Sequence, residues 1–212
     1  DGYMYLLPGS GYSYQKYDWY RYDIANDSWQ DLGQLPHRQG PGNAAAWVSG
    51  EATDYSQDYI YVQFGVTPSG TYTHAEFWRY GLQDQQWEKL ADHGFGADDG
   101  SQLAWDGGNY IYHVPGAYQE QSWDRGLSQK RVFMRYSIRD NMWSPMENTP
   151  YNRWGGWDDA GGIVLLGNWI YGLKGGCDVA WAEGETVSGG GNIPSDHFWK
   201  YRLESVNFDV LV

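Results

Sequence analysis

Tryptophan and tyrosine stand beside carboxylates and cations in three stretches of this chain. AYQEQSWDRGLSQKR (117–131) carries Tyr118, Trp123, Asp124 and Arg125. ENTPYNRWGGWDDA (147–160) carries Tyr151, Arg153, Trp154, Trp157, Asp158 and Asp159, and CDVAWAEGETVSGGGNIPSDH (177–197) carries Trp181, Glu183 and Glu185. Indole and phenol rings stack on the apolar face of a sugar while neighbouring carboxylates bond its hydroxyls, and the same residue types anchor a protein partner. Packing of the tryptophans beneath their own loops is the competing account of these residues.

Other chemistry is thinner. The pairs Asp98–Asp99 and Asp158–Asp159 fall at equivalent turns and are weak calcium candidates, without the ligand spacing of a calcium loop; solvated turn carboxylates are the plainer reading. Histidines 37, 74, 93, 113 and 197 form no HxH or HExxH spacing, and there is no GxSxG. The single cysteine, Cys177, rules out an internal disulfide and a cysteine-cluster metal site. No catalytic residue is assigned, and no cofactor is expected apart from calcium at the aspartate pairs.

The elements that would position these loops follow from composition and repetition. In 212 residues, aromatics make up 18%, with 13 Trp and 19 Tyr, and there are 29 Gly, a mixture that favours many short strands and glycine-containing turns. The net charge of −13 repels a phosphate backbone, so nucleic acid is not an expected partner. No apolar run is long enough for a membrane helix, and no basic-then-apolar leader opens the chain. It begins at Asp1, as a processed chain or a piece of a longer one does.

Four copies of one pattern stand out: WYRYDIANDSW (19–29), FWRYGLQDQQW (77–87), FMRYSIRDNMW (133–143) and FWKYRLESVNF (198–208). Their tyrosines, Tyr22, Tyr80, Tyr136 and Tyr201, are spaced by 58, 56 and 65 residues. A second element precedes each copy: GYMYLLPG (2–9), DYIYVQFG (58–65), NYIYHVPG (109–116) and NWIYGLKG (168–175). A third, GNAAAWV (42–48), GSQLAWD (100–106) and GGIVLLG (161–167), precedes the second in all but the first unit. Each unit therefore reads as strand 1, a short turn, strand 2 ending in glycine, a loop, strand 3 with the tyrosine, a polar hairpin turn and strand 4. A repeated four-stranded antiparallel unit of roughly 50 residues is the blade of a β-propeller. The expected fold is all-β, one propeller or propeller segment over 1–212, with units 1–38 (lacking strand 1), 39–95, 96–151 and 152–212.

The order of an apolar strand ending in glycine, a tyrosine and a spaced tryptophan resembles the kelch repeat over nearly the whole chain, and is close to the kelch-like proteins secreted by prokaryotes. The double glycine that usually ends strand 2 survives only as Gly175–Gly176; the other units keep Gly9, Gly65 and Gly116. The resemblance implies an extracellular or cell-surface location. Three complete units and one incomplete one leave a closed four-bladed ring as the alternative to the expected ring completed by further blades or by other subunits. The resemblance also brings in copper-radical oxidases, which need a cysteine cross-linked to tyrosine and two histidine ligands. Cys177, Tyr112 and His113 are present, but no second histidine stands at a matching position.

Residues repeated in every blade serve the repeated interface, so Tyr22, Tyr80, Tyr136 and Tyr201 with Trp29, Trp87, Trp143 and Phe208 are expected to pack blade on blade. Arg21, Arg79, Arg135 and Lys200 alternate with the tyrosines, lie on the opposite strand face, and should pair with acidic groups or carbonyls. Function then belongs to the unequal loops between strands 2 and 3, whose flanking tyrosines lie 17, 19, 24 and 30 residues apart along the chain. The expected function is a non-catalytic module that binds a glycan or protein, or joins an assembly, through that face. The alternatives are a propeller-scaffold enzyme, either a carbohydrate-active hydrolase or lyase or a copper oxidase, and a structural subunit of a filament or surface layer.

Overall fold

A computed structural model describes residues 2–7, 17–37, 42–65, 76–94, 96–97, 100–116, 132–150, 161–173, 175–177, 181–182, 185–186, 193–194, 198–203 and 208–211. The fold is all-β, with four antiparallel sheets in chain order. The first holds β1 (Tyr3–Leu6), β2 (Asp18–Asp23) and β3 (Ser28–Gln34). The second holds β4 (Ala44–Val48), β5 (Tyr59–Gln63), β6 (Phe77–Gly81) and β7 (Trp87–Lys89), with a one-turn helix α1 (Gly50–Thr53) between its first two strands. The third holds β8 (Gln102–Trp105), β9 (Tyr110–Val114), β10 (Met134–Ser137) and β11 (Met142–Pro145). In the fourth, β12 (Gly162–Leu166) and β13 (Trp169–Leu173) are followed by two short ladders, β14 (Gly176–Cys177) with β17 (Ile193–Pro194) and β15 (Trp181–Ala182) with β16 (Glu185–Thr186). The sheet then resumes with β18 (Phe198–Arg202) and β19 (Phe208–Leu211). The first three sheets are simple meanders, each a local product of its own hairpins; in the fourth, the β15–β16 hairpin and the β14–β17 ladder are inserted between β13 and β18.

The tight turns between the last two strands share one geometry. The residue five after the repeated tyrosine, Asp27, Gln85 or Asn141, takes a positive φ of 48°, 57° or 50°. Asp and Asn tolerate that left-handed conformation, and in their two turns the side chain also accepts a bond from the tyrosine hydroxyl: Tyr22 to Asp27, and Tyr136 to Asn141 at 2.7 Å.

Because side chains alternate across a strand, register sorts each sheet into two faces. In the second sheet, Ile60, Val62 and Tyr80 meet Trp19 and Leu35 of the first sheet. Its other face sends Tyr61, Phe77 and Leu90 against Leu103, Ile111 and Tyr136 of the third. Tyr112, Val114 and Phe133 then meet Ile170, Trp199 and Tyr201 of the fourth. At each junction the first aromatic of the repeated motif docks on the tyrosine of the next sheet, edge to face. Trp19 lies 5.5 Å from Tyr80, Phe77 lies 4.9 Å from Tyr136, and Phe133 lies 5.3 Å from Tyr201. Each such pair adds about 1 kcal/mol beyond its area burial. The leading strands also line up, β4 packing on β8 and β8 on β12.

Candidate functional site

The repeated residues are consumed by the scaffold. The tyrosine and following tryptophan stack within their own sheet at 5.1 Å (Tyr22–Trp29), 5.0 Å (Tyr80–Trp87) and 5.2 Å (Tyr136–Trp143). Tyr201 is buried in the same way; Phe208 lies in β19 and is described by its backbone pairing with Tyr201. On the opposite face every repeated cation sits over the first aromatic of the preceding strand. Arg21 lies 4.2 Å above Tyr3, Arg79 4.3 Å above Tyr59, Arg135 4.7 Å above Tyr110 and Lys200 4.3 Å above Trp169. This cation–ring pairing was hidden in the sequence, because register alone brings the two residues together.

Arg79 and Arg21 differ in what else they hold. Arg79 bonds Glu88 at 2.7 and 2.8 Å, donates to the Tyr61 hydroxyl at 3.3 Å, and is covered on its second side by Tyr55, 4.7 Å away. Arg21 donates through Nε to Gln30 at 2.8 Å and has no carboxylate partner among the described residues. Its uncovered side borders a cleft of about 340 Å³ between the first two sheets, lined by Tyr3, Tyr5, Arg21, Gly50, Glu51, Tyr55, Ser56, Gln57, Asp58, Leu82 and Gln83. That volume lies at the small end of ligand sites. Three phenol rings, a guanidinium, amide groups and two carboxylates can together stack on and hydrogen-bond a small polyhydroxylated ligand.

One wall of the cleft is the connection from β4 to β5, residues 49–58, where the sequence pattern predicts a short turn. It is built around Gln57. Gln57 Oε1 accepts from the backbone N–H groups of Gln83 and Asp84 at 2.8 and 3.1 Å. In the first sheet the same two turn positions, Ala25 and Asn26, donate to the side chain of Asp23, both at 3.1 Å. In the third they are bound by Asn109 and Ser137. The second sheet has Gly81 where the others have Asp23 and Ser137, and a Cβ there would meet Gln57 Nε2 at 2.6 Å and Asp84 Oδ1 at 2.2 Å. The absent side chain and the longer connection are therefore one device. Gly50 completes it: a Cβ would lie 2.3 Å from the Gln57 carbonyl oxygen.

The cleft lies at the end of the sheets that carries the tight turns, opposite the connections between the second and third strands of each unit. At that other end Glu76 accepts from Lys89 at 2.9 Å and from Trp78 Nε1 at 3.0 Å, and pairs with His37 at 2.5 Å. Partial burial opposes its charge, but these partners hold its carboxyl below the usual range.

A second histidine does come alongside His113. The ring of His93 lies 4.9 Å away, in an enclosure shared with Trp143, Gln63 and the Gln102 carbonyl. His113 Nδ1 stands 3.0 Å from that carbonyl and so carries the proton, which leaves Nε2 an unprotonated acceptor without a partner among the described residues. His93 Nε2 lies 2.7 Å from Gln63 Oε1, whose amide nitrogen donates to the Phe64 carbonyl, so His93 is the donor. Burial pushes His93 down to about 2, helped by His113, and burial pushes His113 down to about 4 against its bond to Gln102. This is a neutral pair within the packing between the second and third sheets. Tyr112 on the far face of β9 is likewise buried, and its phenol is pushed up to about 12.

Among the residues read from sequence as ligand contacts, Trp181 and Glu185 lie on the short ladder β15–β16. Tyr118, Trp123, Asp124, Arg125, Tyr151, Arg153, Trp154, Trp157, Asp158, Asp159 and Glu183 lie outside the described residues, as do Asp98 and Asp99. The described residues contain no group of three metal-ligating side chains and no helix long and apolar enough to cross a membrane. The chain matches no known protein family and no curated protein.

Proposed function

We propose that the four sheets are kelch-like blades of a propeller, and that the protein is a non-catalytic module, extracellular or at a cell surface, that binds a glycan or a protein. What supports this reading is the division of labour in the sheets. The repeated tyrosines and tryptophans and Arg79 are committed to stacking and ion pairing, while Arg21, with no carboxylate partner among the described residues, borders a cleft walled by the β4–β5 connection. The sequence adds the unequal loops, with Trp123, Trp154, Trp157 and Trp181, as the second place for a ligand.

Glycan arrays and pull-downs test it with two sets of variants, the four tryptophans changed to alanine, and Tyr3→Ala with Arg21→Ala. Loss of binding in one set assigns the ligand to that end. Binding unaltered in both sets overturns the reading.

A second reading, a subunit of a larger assembly, is favoured by a separate observation. Seven of the large apolar side chains that stand exposed, Met4, Leu6, Ile24, Trp29, Val164, Leu166 and Leu173, belong to the first and fourth sheets.

A further inference from the structure

We propose that a second copy of this chain covers both end sheets, the first sheet of one copy docking head to tail on the fourth sheet of the other. This rests on the assembly reading and names its partner.

The argument is continuity with an interface the chain already builds three times. Each internal junction joins two unlike halves. One half is a tyrosine packed ring on ring against the leading aromatic of the repeated motif: Tyr5–Trp19 stacked at 5.8 Å, Tyr61–Phe77 tilted at 5.7 Å and Tyr112–Phe133 stacked at 5.9 Å. The other half is the buried tyrosine of the next sheet, Tyr80, Tyr136 or Tyr201, which packs with Trp87 and Trp143 in the second and third sheets.

The fourth sheet repeats the first half once more, Tyr171 stacked on Phe198 at 5.8 Å, yet beside it Val164 is 60% and Leu166 69% exposed. The first sheet repeats the second half, Tyr22 with Trp29 at 5.1 Å, yet Met4 is 61% and Trp29 59% exposed. The equivalents of Met4 in the other sheets, Ile60, Ile111 and Ile170, are all buried. Each open end thus displays the half the other lacks. Two like ends would form a junction found nowhere in the molecule. A contact between unlike surfaces closes into a ring when the rotation permits, and two copies related by a two-fold axis would satisfy both ends at once.

Sedimentation velocity of the 212-residue chain tests this, with circular dichroism to confirm that every variant keeps its fold; the positions changed are exposed ones. The expected species has twice the 24.2 kDa mass of one chain. Met4→Glu with Trp29→Glu blocks the first sheet, and Val164→Glu with Leu166→Glu blocks the fourth. Each doubly changed protein alone should run as a single chain, and an equal mixture should recover a one-to-one pair through the intact contact. Three results would overturn the proposal: an unaltered protein that stays single at all concentrations, a first-sheet variant that still pairs with itself, or a mixture that stays single. An unaltered protein that is single yet binds glycan or protein would remove the assembly while leaving the binding reading in place.

Discussion

The first and second sheets carry the same strand pattern and differ in what lies against them. Ile60 in β5 is 5% exposed, while Met4, its counterpart in β1, is 61% exposed. Among the described residues, the second sheet has four strands and a neighbour on either side, and the first has three strands and one neighbour. Trp47 of β4, opposite Ile60 in the ladder, makes its ring contact with the third sheet instead, edge to face with Trp105 at 5.7 Å, and stays half exposed. Identical residue types therefore hold different energies, because burial is supplied by the neighbouring sheet and not by the motif.

The largest expected effect sharpens that contrast directly. Phe77 is fully buried and touches both Tyr136 and Trp143 at 4.9 Å. Phe77→Ala should cost about 3–5 kcal/mol, from lost burial plus the cavity left behind. Trp29→Ala, in a residue of larger area but on the open face, should cost within about 1 kcal/mol in the single chain. Urea unfolding of both variants at a concentration where the chain is single measures this; equal losses would mean the first sheet is covered after all.

Acid should attack the covered junction next. His93 and His113 are held neutral, with folded-state values near 2 and 4, below the ordinary histidine value of about 6.5 in the unfolded chain. The unfolded state therefore binds more protons once the pH falls below about 6.5, and stability drops from there, reaching about 2 kcal/mol per histidine at pH 5. His113→Phe removes one titrating group without emptying the space. Comparing urea midpoints at pH 7 and pH 5, the variant should lose less on acidification than the unaltered protein, and an equal loss would show that His113 is accessible to protons in the folded state.

How far these features were legible in the sequence follows from their range. The strands and the hairpin turns were legible, because each joins near neighbours in a repeated pattern; Tyr80 and Trp87 were marked as packing residues between sheets, and that they pack on each other within one sheet was not legible. The stacking of Arg79 on Tyr59 and the meeting of His93 with His113 were not, since both depend on which strands lie side by side. Helix α1 has four residues, too few for a helical period to show. Trp29 bears on the same limit from another side: its type promises packing, but only the presence of a neighbouring sheet can deliver it.

The smallest expected effect concerns how the first two sheets close the same turn. In the first, Asp23 bonds two turn N–H groups from within its own strand; in the second, Gln57 does so from a connection 26 residues away. Gln57→Ala strips those donors of their protein partner, but Gln83 and Asp84 are exposed and water takes over, so the loss should be about 1 kcal/mol. Gly81→Asp alone should also destabilise, since the new side chain enters space held by the Gln57 amide. Combined, Gln57→Ala clears that space and the aspartate at position 81 stands where Asp23 stands in the first sheet. The two costs should therefore be strongly sub-additive in a double-mutant cycle, with the pair more stable than Gly81→Asp alone. Additive costs would mean that the two turns, alike in shape, are not interchangeable in how their backbone is satisfied.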